Sequence, residues 1–308
     1  MRKSLAAFIN ILIVLLLIAL PPTVPAQSPP TQQVNQSLIV TTEWLAKHLN
    51  DDSLVLLQVG DKDEYAAAHL PRAQFIQVAD ISTPRGSGLT LELPSVEQLK
   101  TVFEKLGITD KSRIVVYFSK DWITPTARVF MTLDYLGFGD RTSILDGGLP
   151  AWRAEGHQVT SEVTQAKPGT LTPHPNKQLV VDANWVNANL NNPKVRILDA
   201  RAPQFYSGAE VGRMPRGGHI PNARNIPFSS LVDESNKFKS VGALRQLFST
   251  ADVNQSTSVA TYCHIGQQAS LLYFVARYLG YEAHVYDGSF EDWSNRKELP
   301  VQTDVARP

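Results

Sequence analysis

Cysteine is nearly missing from this sequence: 308 residues contain one, Cys263. A disulfide framework is therefore excluded, and so is a zinc site built from several cysteines. Histidine is sparse as well, and its seven copies include no pair at the helical spacing of metal ligands. Neither sign of charge is in excess, with 29 Lys and Arg against 29 Asp and Glu. Such a chain has no global electrostatic pull toward nucleic acid or an anionic membrane, although it leaves room for a local basic patch. At 43% hydrophobic and 19% charged, the composition excludes disorder, collagen and coiled coil as global descriptions. What remains is a globular chain long enough for about two domains.

Only the first residues depart from that composition. Arg2 and Lys3 precede an apolar run from Leu5 to Leu20, broken only by Asn10, and then Pro21, Pro22 and the stretch Val24-Pro25-Ala26. A positive start, an apolar stretch and small residues before Gln27 predict an export signal over residues 1–26, cleaved after Ala26. The alternative is an uncleaved anchor, for which the run is slightly short. Cleavage leaves a net charge near −2 and a protein placed in a periplasm or secreted, with membrane contact only through the leader. Gln27 to about Gln36 reads as a flexible lead-in.

The rest repeats itself. The segment from Val40 through Trp44 to Asn50 resembles the one from Val181 through Trp185 to Asn191. His69-Leu70-Pro71 returns as His219-Ile220-Pro221, and Asp146-Gly147 with Trp152 returns as Asp287-Gly288 with Trp293. Ordered recurrence at a nearly constant offset indicates a tandem duplication. The units are read as 38–157 and 176–303, joined by a linker over 158–175 that is rich in Thr, Gln and Pro. Short β-rich runs, such as Val55–Val59, Ile114–Phe118 and Ser258–Tyr262, alternate with helical patterns at Ala127–Leu136 and Ser270–Leu279. Apolar runs between helices predict an α/β fold, a mostly parallel sheet flanked by helices, used twice. Ser95 and Gln98 form a candidate capping box.

Cys263 directly follows a predicted strand. His264, Ile265, Gly266, Gln267, Gln268 and Ala269 come next, before the predicted helix. Open parallel sheets place their sites at the carboxyl ends of strands. Loop N–H groups and a helix N-terminus there favour thiolate and predict a lowered pKa. The bland alternative is a buried cysteine acting as a small hydrophobe.

Taken together, the motifs resemble the two-domain rhodanese family of sulfurtransferases. The matching features are Cys263-His-Ile-Gly-Gln-Gln-Ala269, Asp199-Ala-Arg201, Gly218 to Ala223, and the two Asp-Gly-x-x-x-x-Trp segments ending at Trp152 and Trp293. The resemblance implies tandem rhodanese-like domains with a catalytic C-terminal copy. It implies attack of a Cys263 thiolate on a donor such as thiosulfate, a persulfide, and release of that sulfur to cyanide or a thiol. The amides of residues 264–269 would steady the charge, and no metal or organic cofactor is called for. Ser119 aligns with Cys263, so the N-terminal copy is expected to be silent, with a loop one residue longer.

There are departures. His264 and Ile265 stand where thiosulfate-preferring members often carry basic residues, and Phe205 stands where the family has an arginine. Arg213 and Arg216 are the substitute candidates for the donor's anionic end, against a solvated-loop alternative. Asp199 and Arg201 either orient the loop or hold the sheet end as an ion pair. His69 and His219, repeated in both copies, are expected to be structural, and the repeated tryptophans to be core or interface. Competing functions are 3-mercaptopyruvate sulfur transfer, a non-enzymatic sulfur-binding module, and a cysteine phosphatase. The last is disfavoured because Ala269 and Ser270 stand where a phosphate-binding arginine would.

Overall fold

The computed structural model describes residues 33–304 apart from Trp122; the leader assigned to residues 1–26 lies outside them. Among the described residues no helix is long and apolar enough to cross a membrane.

The first copy runs β1 (Ile39–Val40), α1 (Thr42–His48), β2 (Leu54–Val59), α2 (Lys62–Ala67), β3 (Gln74–Ile76), α3 (Val96–Lys105), β4 (Arg113–Phe118), α4 (Ile123–Tyr135), β5 (Thr142–Leu145) and α5 (Gly148–Ala154). The second repeats it as β6 (Val180–Val181), α6 (Ala183–Ala188), β7 (Val195–Asp199), α7 (Pro203–Ser207), β8 (Arg224–Asn225), α8 (Val241–Thr250), β9 (Ser258–Tyr262), α9 (Gln267–Tyr278), β10 (Ala283–Tyr286) and α10 (Ser289–Asn295). The strand orders are β1-β5-β4-β2-β3 and β6-β10-β9-β7-β8, every pair parallel. Strands buried on both faces have to read as unbroken apolar runs, which is what β4 does from Ile114 to Phe118.

Local signals are used as their chemistry dictates. Ser95 and Gln98 cap α3 reciprocally. Trp152 and Trp293 are buried and donate from Nε1 to the carbonyls of Gln158 and Pro300. His69 and His219 are buried, stack on Tyr65 and Tyr206, and hydrogen-bond through Nδ1 to those tyrosines' carbonyls. Both histidines brace the fold.

Each sheet has an outer core of its own, around Trp152 in the first copy and around Trp293 and Phe290 in the second. The inner faces share one core, in which α4 packs on α9 and Phe130 meets Phe274 edge-on at 4.7 Å between ring centroids. The segment assigned as a linker is pinned along the first copy. Thr160 pairs with His69, the Leu171 N–H donates to Glu104 Oε1, and Thr172 binds the Asp110 carboxylate.

Candidate active site

Parallel β9 ends at Tyr262, and Cys263 is the next residue, 1% exposed. The helix opens earlier than its apolar pattern suggested, at Gln267 rather than Ser270, after Gly266 in the left-handed region at φ 86°. That early start decides what surrounds the sulfur. The N–H groups of Ala269, Ile265, Gln268 and Gly266 face it closely enough to pull its pKa down. Two of these belong to the first turn of α9, whose N–H groups have no partner inside the helix. The loop backbone is held in turn by α10: Cys263 N–H donates to Ser289 Oγ at 3.2 Å, and Phe290 and Glu291 donate to the carbonyls of Cys263 and His264.

The lowered thiol pKa expected from this position is not found. Burial pushes the Cys263 thiol up, and the four N–H groups pull it only part of the way back. The sequence revealed the donors but not the depth at which the sulfur sits. His264 is shifted down by burial and by the Arg201 charge, so its imidazole is neutral near pH 7 and is no cationic anchor for an anion. Its ring meets Phe205 edge-on at 4.7 Å.

At the end of β7, Arg201 Nε and Nη2 grip the Asp199 carboxylate at 2.6–3.0 Å, with both side chains buried. Arg201 Nη2 also donates to Gly218 O, and its guanidinium lies 4.1 Å from the Phe290 ring centroid. Asn225 Nδ2 donates to the carbonyls of Asp199 and Arg201. The pair therefore ties β7, β8 and the Gly218 turn together beside the Cys263 loop.

A cleft of about 1160 Å³ opens between the copies, with Ile265 and Gln267 of the loop in its wall. Arg213 lines it and Arg216 does not. Arg216 turns away and donates to the carbonyls of Trp293, Ser294, Arg296 and Leu299, where α10 ends. A helix C-terminus attracts a cation, and that attraction takes Arg216 away from the donor-binding role expected of it. Two further cations line the cleft from the first copy: Lys120, paired with Glu64, and Arg85. The sequence reading missed Arg85. It sits in Thr83-Pro-Arg-Gly-Ser-Gly88, which belongs to neither repeated motif.

The first copy has the same junction with different contents. β4 ends at Phe118 and the described part of α4 runs from Ile123 to Tyr135. Ser119 Oγ donates to Glu64 Oε2 at 2.5 Å. Pro125, which has no N–H, occupies the first turn of α4.

Residues 41–155 and 182–296 each match the rhodanese-like domain. The chain belongs to the rhodanese family. It is 31% identical over 282 residues to the sulfur carrier protein TtuD of Thermus thermophilus, covering 86% of this chain and 96% of that one. It is 29% identical to the thiosulfate sulfurtransferase of Azotobacter vinelandii, covering 86% and 97%. It is 28% identical to the mitochondrial thiosulfate/3-mercaptopyruvate sulfurtransferase 1 of Arabidopsis thaliana, covering 86% and 78%. In fold it is similar to the anaerobic ergothioneine biosynthesis enzyme from Chlorobium limicola, with a TM-score of 0.78 at 20% identity, over 88% of this chain and 71% of that one.

Proposed function

We propose that Cys263 takes a sulfur atom from a small anionic donor of the thiosulfate kind and passes it to a nucleophilic acceptor, cyanide or a thiol. The protein is a sulfurtransferase with a sulfur donor and an acceptor. One observation carries the assignment of its site: the chain's only cysteine sits at a strand end with four N–H groups directed at its sulfur. In the first step the thiol proton passes to solvent and the thiolate attacks the donor's outer sulfur. An S–S bond to Cys263 forms while the donor's own S–S bond breaks, and sulfite leaves with the electron pair. In the second step the acceptor attacks the outer sulfur and the Cys263 thiolate is regenerated. The N–H groups that face the resting sulfur also suit the charge of the persulfide. Arg213 and Arg85 flank the approach and supply positive charge for the donor's sulfonate or carboxylate end.

The test is mass spectrometry of the protein after donor, then after cyanide. A gain of one sulfur atom on Cys263, removed by cyanide as thiocyanate, is the expected result. Thiosulfate and 3-mercaptopyruvate run in parallel identify the donor. A persulfide that forms once and is never turned over would instead make the protein a sulfur carrier.

We also propose that the protein is exported. The reading is supported by the charged start, the apolar stretch and the Val24-Pro25-Ala26 ending of residues 1–26. An exported chain beginning at Gln27 is expected, and one beginning at Met1 would make the segment an anchor.

A further inference from the structure

The silent copy reaches into the back of the catalytic loop. Arg128 lies on α4, fully buried, and pairs with Asp287 of the second copy. A Cβ placed on Gly266 would stand 3.0 Å from Arg128 Nη1 and 2.9 Å from Asp287 Oδ1. The ion pair thus fills the space beside one of the residues whose N–H faces sulfur. Asp287 also accepts the Leu93 N–H at 2.9 Å, and Glu291 accepts the Thr90 N–H and hydroxyl at 2.7 and 2.9 Å. Arg128 Nη2 donates to the carbonyl of Leu91, which is held at φ 61°. Residues 90–93 and Arg128 therefore clamp residues 287–291, the segment that bonds the backbone of Cys263 and His264. Gln267 Nε2, at the start of α9, meets Thr124 Oγ1 of α4 at 3.3 Å.

The clamp is half symmetric. In the first copy Asp146 accepts the Phe238 N–H of the second at 2.9 Å, mirroring Asp287 and Leu93. Arg128, nine residues beyond Ser119, has as its counterpart Leu272, nine beyond Cys263 and buried. Only the side facing the live cysteine carries the guanidinium.

We propose that Arg128 is a positioning residue supplied by the silent copy: paired with Asp287, it fixes Gly266 and the 287–291 segment so that the loop N–H groups converge on Cys263. The inference rests on Cys263 being the sulfur-carrying residue. The other titratable groups beside the loop are Asp199, Arg201, Tyr262 and His264, and beside the clamp Glu92, Glu291 and Asp292. None of them is altered in the test.

Breaking one partner alone strands a buried charge and threatens folding. The test therefore uses the double variant Arg128→Leu with Asp287→Asn, the conservative Arg128→Lys, and Asp146→Asn as the mirror control. All are measured by thermal unfolding, single-turnover persulfide formation, donor KM and the pH profile of Cys263 alkylation. The double variant is expected to lose about ten- to a hundredfold in persulfide formation, the scale of a small misplacement, with donor KM little changed. Its alkylation profile moves to higher pH, because an N–H turned away no longer favours the thiolate. Arg128→Lys recovers part of the rate. Asp146→Asn lowers the melting temperature and leaves both rate and profile in place. Unchanged persulfide formation in the folded double variant, or a fall in rate without movement of the profile, overturns the proposal. If the wild-type chain forms no persulfide on Cys263, the function itself fails, and that is read before any variant.

Discussion

Burial and hydrogen bonding act on the Cys263 thiol in opposite directions, and burial is the stronger. A raised pKa means that the thiolate fraction is small at neutral pH and grows as pH rises. Alkylation of Cys263 by a neutral reagent is therefore expected to accelerate through and beyond about pH 8.5, the ordinary thiol value. A plateau reached below it would contradict the burial argument. Cys263→Ser is expected to abolish persulfide formation and turnover, measured by thiocyanate release, since a hydroxyl cannot hold the transferred sulfur. The two loop arginines separate by their partners. Arg213→Ala and Arg85→Ala should each raise donor KM several-fold and leave stability within roughly 0.5 kcal/mol. Arg216→Ala should instead lose about 1–3 kcal/mol in urea unfolding, because it leaves carbonyls at the end of α10 without a donor. Residue identity and loop position are the same for Arg213 and Arg216 in the sequence. Which way each turns depends on α10, some 80 residues further along, and no local pattern carries that.

At the scale of elements, the strand–loop–helix junction was legible, and its interior was not. Apolar runs ending at Phe118 and Tyr262 marked both strand ends correctly. The helix starts were misplaced because Gln267 and Gln268 are polar and half-buried, so they show no apolar period although they are helical. The silence proposed for the first copy rests on the contents of its junction. A cysteine at position 119 would face the Glu64 carboxylate, which disfavours a thiolate, and Pro125 offers no N–H. The double variant Ser119→Cys with Cys263→Ser should release no thiocyanate in the presence of donor. Release near the wild-type rate would show that the first junction is competent after all.

For the whole molecule, the duplication was plain in the recurring His-x-Pro and Asp-Gly motifs, while the way the copies join was hidden. The helices α4 and α9 are buried nearly all round, although α4 carries Arg128 and Asp134, and nothing in their patterns says against what. The structure answers that they bury against each other, with Phe130 against Phe274 and Asp134 held by Tyr273 and Arg277. Phe130→Ala should cost about 3–5 kcal/mol. Because the inner core belongs to both copies, calorimetry should show one transition moving down rather than the first copy melting alone.

That shared inner core also sets an order of events while the chain is being made. The first copy leaves the ribosome well before α9 exists, and domains fold as units from the N-terminal end. It can close its outer core around Trp152 from its own residues, but the face of α4 that will meet α9 has nothing to cover it until residues 267–278 arrive. Arg128 waits in the same way for Asp287. The turn that directs N–H groups at the sulfur is thus completed only when nearly the whole chain is present. A partly made protein carries either no cysteine or a cysteine without its surroundings, so Cys263 meets its loop N–H groups and its buried setting only in the finished molecule.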